Sequence, residues 1–117
     1  MIKSYTDLEQ SKILGRILPL SSADMGWNLF VDDTKRVLPI DDWALTKDGS
    51  GGVKFYHAWS LTALLNIIPE PDLVQNSEGT WLVHSWVNAY PWSVGGYSNP
   101  VDAAYNMIIK LHEKNLL

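Results

Sequence analysis

The 117-residue chain contains no cysteine. Disulfide bonds, a thiol nucleophile and thiolate-ligated zinc or iron–sulfur sites are therefore excluded. The sequence also lacks any apolar run long enough to cross a membrane, and its start shows no apolar stretch like that of a signal peptide. We therefore expect no membrane partner, no export and a cytoplasmic location.

Positive charge is missing from a long part of the chain. No Lys or Arg occurs between Lys54 and Lys110, although four acidic residues do, and the formal net charge is −4. Nucleic-acid binding draws most of its affinity from cations set against phosphates. Only the first half, with seven of the nine basic residues, could touch DNA or RNA, so we expect no nucleic-acid partner.

Composition predicts one packed domain. Hydrophobic residues make up 46% of the chain and charged residues 19%, enough for an interior and too little charge for disorder. At this length, residues 1–117 are expected to form a single α+β domain. The glycine-rich residues 47–52 predict a flexible loop within it.

Three helices are predicted from start and stop signals. Thr6 and Glu9 form a capping-box pattern before a helix over residues 7–18. Ser60 is a candidate N-cap for a helix over residues 61–68, which is apolar on most sides. Asn99 and Pro100 predict the start of a last helix that runs to about residue 114.

Alternating and β-branched residues predict strands at 26–31, 37–40, 73–75 and 81–87, with a further short strand after Pro91. The predicted fold class is α+β, with three helices packed on a small, mostly antiparallel sheet of about four to five short strands. The order is α-ββ-α-ββ(β)-α. Residues 13–19 and 63–69 share a helix-then-proline pattern, which leaves both an internal duplication and independent origins open.

Five segments resemble a group of small cytoplasmic proteins of gut anaerobic bacteria and their phages or mobile elements. The segments are residues 5–12, 23–25, 58–65, 99–103 and 110–113. That group has no assigned activity. The resemblance therefore implies a bacterial cytosolic origin and implies nothing about mechanism.

Catalytic and metal-binding patterns are weak. Ser60 and His57 lack the Gly-x-Ser-x-Gly elbow of serine hydrolases, and the three histidines show no metal-ligand spacing. The acidic pairs at 32–33 and 41–42 lack the calcium-loop pattern, and the glycines at 49–52 lack the Lys-Ser/Thr of a phosphate loop. We expect no catalytic residue, no cofactor and no metal.

Aromatic residues are the unusual feature of the sequence. The chain has six tryptophans, and residues 79–101 contain no Asp, Glu, Lys or Arg. The candidate interaction surface consists of Trp81, Trp86, Tyr90, Trp92 and Tyr97. Strand alternation places Trp81 and Trp86 on opposite faces, so one is expected in the core and the other exposed or covered by a partner.

Three classes of function stay open. The favoured one is a non-enzymatic interaction module that uses this aromatic, uncharged surface to bind a protein partner or a second copy of itself. The alternative is a small-molecule or carbohydrate-binding domain in which Trp and Tyr rings stack on the ligand. The third is an enzyme whose catalytic groups the sequence does not reveal.

Overall fold

The computed structural model describes residues 3–29, 35–39 and 54–117. In these residues the elements follow one another as α1 (Leu8–Ile17), a 3-10 turn (Leu20–Ser22), β1 (Met25–Leu29), β2 (Lys35–Pro39), β3 (Lys54–Ala58), α2 (Leu61–Ile67), β4 (Asp72–Gln75), β5 (Trp81–Val87), β6 (Tyr90–Tyr97) and α3 (Pro100–Glu113). The α+β class is confirmed. The loop predicted at residues 47–52 and the acidic pairs at 32–33 and 41–42 lie outside the described residues.

The chain divides into two compact units. The first unit is Tyr5–Ser60, and the described residues of the second unit are 3–4 and 61–117. Each unit contains an antiparallel three-stranded sheet, with strand order β2-β1-β3 in the first and β4-β5-β6 in the second. The described residues thus contain six strands in two sheets, where four to five strands in one sheet were predicted.

The N-cap of α1 is one residue later than predicted. Asp7 is the N-cap: its carboxylate accepts from the Gln10 N–H at 2.7 Å, and the Gln10 side chain accepts from the Asp7 N–H at 3.1 Å. This arrangement is a capping box formed by Asp7 and Gln10, not by Thr6 and Glu9. Thr6 is unsuited to the cap because it is fully buried and its hydroxyl has other partners.

Buried hydroxyl groups join the start of α1 to the end of the first sheet. The Thr6 hydroxyl accepts from the Trp59 N–H at 3.1 Å and lies 2.7 Å from the Ser11 hydroxyl. The Ser11 hydroxyl in turn donates to the Asp7 carbonyl at 2.6 Å. Every hydroxyl in this chain of bonds has a partner, so burial leaves none of them with the desolvation cost of an unpaired polar group.

The strand β3 was not predicted from the sequence. It pairs with β1 along its whole length, from Met25 opposite Ala58 to Leu29 opposite Lys54. These partners are about thirty residues apart in the sequence, and no hairpin turn signal connects them. Local pattern reading misses such a strand because the partner that stabilises it is distant.

The second unit follows its predicted elements closely. Strand β5 has the predicted bounds, and the hairpin turn before it is held by Asn76, whose side-chain oxygen accepts from the Glu78 and Thr80 N–H groups at 3.0 Å. Asn99 caps α3 by accepting from the Asp102 N–H at 2.8 Å, and Pro100 occupies the first turn. Four residues of α3 that recur at helical spacing are fully buried: Val101, Ala104, Ile108 and Leu111.

Among the residues that the structure describes, no helix is long and apolar enough to span a membrane.

Candidate functional site

All five residues of the candidate interaction surface lie on the hairpin of β5 and β6. A two-residue turn of Asn88 and Ala89, with φ angles of 52° and 63°, joins the strands. Positive φ at both positions is characteristic of the type I′ turn, whose twist matches that of a hairpin. The tight turn brings Trp86 and Tyr90 to the same end of the hairpin, which we call the hairpin tip (residues 86–91).

The register places the aromatic residues on both faces of the second sheet. Trp86 lies opposite Pro91, and Ser85 lies opposite Trp92. Directly opposed residues share a face and neighbours along a strand alternate, so Trp86 and Trp92 point to opposite faces. Tyr90, two residues from Trp92, shares the face of Trp92. The five residues therefore do not form one continuous patch.

Trp81 and Tyr97 pair at the other end of the hairpin. The register shifts between Trp81 and Val83, where β6 contains Gly96 with a φ of 87°, a backbone conformation that favours glycine. Trp81 is half-buried and Trp86 is 48% exposed. The alternation predicted one core and one exposed residue without saying which: Trp86 is the exposed one, and Trp81 is not fully buried in the core.

Exposure singles out the hairpin tip. Tyr90 is 62% exposed and Trp86 is 48% exposed, and they are the two most exposed large apolar side chains in the described ranges. Both flank the same turn, Trp86 on one face of the hairpin and Tyr90 on the other. A partner that contacts both side chains would therefore cover the turn itself rather than one face of the sheet.

Trp92 lies against helix α3 rather than in solvent. The Lys110 ammonium is 5.7 Å from the centre of the Trp92 ring, and the Tyr90 ring centre is 5.3 Å away. The indole N–H of Trp92 is buried and has no hydrogen-bond partner among the described residues. The Trp92 ring therefore belongs to the packing between β6 and α3, where a cation rests on its face.

The outer edge of β6 is protected against pairing with another strand. Pro91 has no N–H to donate, and the Lys110 ammonium already donates to the Ser93 carbonyl at 3.1 Å. The bulge at Gly95 and Gly96 further disrupts the regular ladder. These are the devices by which exposed sheet edges avoid adding strands. A partner of this hairpin would therefore contact side chains.

Ser60 and His57, which were considered for catalysis, contact other side chains of the first unit. The Ser60 hydroxyl donates to Asp24 at 2.5 Å, and the Ser60 N–H donates to the other carboxylate oxygen at 2.8 Å. The His57 ring packs edge-on against the Phe55 ring at 4.8 Å. Burial lowers the pKa of His57 below its ordinary value of 6.5.

The other two histidines belong to the second unit. His84 lies within β5 and His112 is exposed in the last turn of α3. In the described part of the chain, no group of three or more His, Cys, Asp or Glu side chains could hold a metal ion.

A cleft in the first unit was not predicted. Its volume is about 490 Å³, and it is lined by Ser11, Lys12, Gly15, Arg16, Leu20, Phe55, Tyr56 and His57. The sequence analysis predicted α1 but gave no neighbour for Lys12 and Arg16, because β3 was not predicted. The run of aromatic residues at 55–57 was the available signal for that strand.

A scan against protein-family models, a search of curated proteins and a search of solved structures each found no match. A functional assignment therefore rests on the geometry of the chain itself.

Proposed function

We propose that the chain is a non-enzymatic binding module that contacts another protein, or a second copy of itself, through the hairpin tip. The observation behind this proposal is that Trp86 and Tyr90, the two most exposed large apolar side chains of the described residues, flank one two-residue turn. Trp and Tyr are the side chains that most often dominate the energy of protein interfaces.

The charge distribution supports a protein partner. Residues 79–101 contain no Asp, Glu, Lys or Arg, so a partner covering the hairpin tip would bury no charge from it. Charged residues are depleted at interface centres because their desolvation opposes binding. An acidic chain with no cation between Lys54 and Lys110 is also poorly suited to nucleic acid, which we do not propose as a partner.

Self-association is the first form of the proposal to test. We would measure the molar mass of the wild type by light scattering from micromolar to millimolar concentration, and compare Trp86→Ala and Tyr90→Ala. Both side chains are exposed, so their removal should leave the fold intact. Loss of a central interface aromatic is expected to weaken a dimer by roughly 30-fold, the equivalent of about 2 kcal/mol.

Val74→Ala is the matched control. Val74 is an exposed apolar residue of the same sheet, on β4 away from the hairpin tip. Its removal should leave self-association unchanged. If the wild type is monomeric, the same variants are compared in co-purification from the native host, where loss of one protein with Trp86→Ala and Tyr90→Ala but not Val74→Ala supports the proposal.

Two outcomes would contradict it. One is a wild type that is monomeric at high concentration and whose co-purified proteins do not depend on Trp86 or Tyr90. The other is saturable quenching of tryptophan fluorescence by simple sugars or nucleosides that Trp86→Ala abolishes, which would support the small-molecule alternative instead.

Trp81→Ala and Trp92→Ala extend the series to the half-buried indoles, whose removal is expected to cost stability.

A further inference from the structure

The cleft in the first unit is bounded by one helix and one edge strand. Lys12, Gly15 and Arg16 lie along α1, and residues 55–57 lie on β3. A volume of about 490 Å³ is within the range of small-molecule sites, roughly 300–1,000 Å³. Gly15 leaves room between the two basic side chains, since a Cβ built there would meet nothing closer than Leu20 at 4.0 Å.

The side chains that line the cleft include two cations and no carboxylate. Lys12 and Arg16 are four residues apart, so they project from the same face of α1. Lys12 is 3.8 Å from Glu9, whose side chain is 82% exposed, and such a surface pair is weak. Arg16 has no carboxylate within ion-pair distance among the described residues. Both cations are therefore available to a ligand.

The outer edge of β3 carries the backbone groups of Phe55 and His57. Met25 on β1 lies between Pro39 on the edge strand β2 and Ala58 on β3. Because Pro39 has no N–H to donate, the backbone N–H and C=O of Met25 are expected to point toward Ala58. Alternation then points the backbone groups of Phe55 and His57 away from β1. The Trp59 carbonyl, two residues on, confirms this direction because it accepts from the Thr6 N–H at 2.9 Å.

Aromatic side chains lie on both faces of β3. Alternation places the Tyr56 ring on one face, where the Lys12 ammonium is 5.2 Å from its centre, and the Phe55 and His57 rings on the other, where they contact each other edge to face at 4.8 Å. A flat ring can stack on an aromatic side chain. The cleft thus combines two cations with the Tyr56 ring beside one of them.

We propose that this cleft binds a small organic anion, whose carboxylate or phosphate group is held by Lys12 and Arg16 and whose flat apolar part packs on the Tyr56 ring. Arg forms paired hydrogen bonds with either oxyanion, and Lys supplies a point charge. The site lies entirely within the first unit and does not depend on the hairpin tip, so this inference and the proposed function can fail separately.

The test uses NMR titration of the full-length protein with probes that separate charge from shape. Phenyl phosphate and benzoate carry a ring and an anion, benzyl alcohol carries the ring alone, and inorganic phosphate and acetate carry the anion alone. Phenyl phosphate and benzoate are expected to give saturable shifts of the amides of residues 11–16 and 55–57. We expect each simpler probe to bind at least tenfold more weakly. The tighter of phenyl phosphate and benzoate identifies the oxyanion.

Variants then assign the binding to the cleft. Arg16→Gln and Lys12→Gln should each weaken phenyl phosphate or benzoate binding by roughly tenfold or more, as expected for loss of a charge-assisted hydrogen bond. Gly15→Leu should abolish binding by filling the cleft while α1 remains helical by circular dichroism. Lys114→Gln, an exposed cation at the end of α3, is the matched control and should bind like the wild type.

The proposal is overturned if neither aromatic anion gives saturable shifts, if benzyl alcohol binds as well as they do, or if Arg16→Gln and Lys12→Gln bind like the wild type. It is also overturned if Lys114→Gln weakens binding as much as the two cleft variants. None of these variants removes a residue of the hairpin tip, so self-association measured on the same samples reports separately on the proposed function.

Discussion

The two units are built from similar parts but are stabilised differently. Each places a helix beside an antiparallel three-stranded sheet. In the first unit, the start of α1 is tied to the sheet by hydrogen bonds at Thr6, whose hydroxyl accepts from the Trp59 N–H and whose carbonyl accepts from the Trp27 indole N–H. In the second unit, α3 has seven buried residues and none of them is polar, so apolar packing holds the helix. The first unit therefore adds buried polar pairing to an apolar core that includes Leu14 and Leu18, whereas the buried residues of α3 are all apolar.

Sheet topology also separates the units. In the first sheet the central strand is β1, the first of its three strands in sequence. In the second sheet it is β5, the second of its three strands. A simple duplication would preserve strand order. The shared helix-then-proline pattern of residues 13–19 and 63–69 is therefore not accompanied by a shared strand order.

The largest expected effect is in the apolar second unit. Leu111→Ala removes a fully buried side chain of α3, and we expect the free energy of unfolding to fall by about 2–5 kcal/mol. Urea denaturation measures the loss. Glu113→Ala, exposed on the same helix, should change it by less than about 0.5 kcal/mol. Equal effects of the two changes would contradict the apolar stripe as the source of stability.

The sequence predicted local features of this unit well. Asn99 and Pro100 mark the start of α3 because a cap needs only neighbours three residues away, and the turn at residues 76–79 fixes where β5 begins. It did not predict how exposed each aromatic residue would be, since that depends on α3 packing over Trp92.

Prediction was weaker in the first unit because its decisive contacts are distant in sequence. Thr6 looks like a helix cap, but its hydroxyl serves Trp59, fifty-three residues away. The cleft was not predicted for the same reason: α1, which carries Lys12 and Arg16, was predicted, but β3 could not be placed beside it. Polar side chains with long-range partners are the residues for which local patterns mislead.

Thr6→Val tests the polar half of the comparison. Valine keeps the shape of threonine but removes the acceptor of the Trp59 N–H, which is buried. An unsatisfied buried donor is expected to lower the free energy of unfolding by about 1–3 kcal/mol. Thr62→Val, at an exposed position of α2, is the control and should have little effect. If both variants unfold at the wild-type urea concentration, the hydroxyl network does not stabilise the first unit.

Asn99→Ala gives a smaller effect in the second unit. It removes the acceptor of the Asp102 N–H at the start of α3, and we expect a loss of about 1 kcal/mol. Asn99→Ser retains a capping oxygen and should recover most of that stability. Thermal or urea unfolding of the pair measures the difference. An unchanged midpoint in Asn99→Ala would mean that the cap adds nothing to the stability of α3.

The smallest expected effect concerns His57 in the first unit. Burial lowers its pKa below 6.5, so NMR titration of its ring resonances should give a value under that of an unstructured peptide. The Phe55 ring covers one side of the imidazole, and Phe55→Ala should therefore return the pKa toward 6.5.

The unfolded chain binds a proton more readily than the folded one in this window, so stability falls as the pH drops from about 6.5 through the folded pKa. His57→Gln cannot titrate and should lose that part of the pH dependence. A wild-type pKa at or above 6.5 would contradict the burial of the His57 ring.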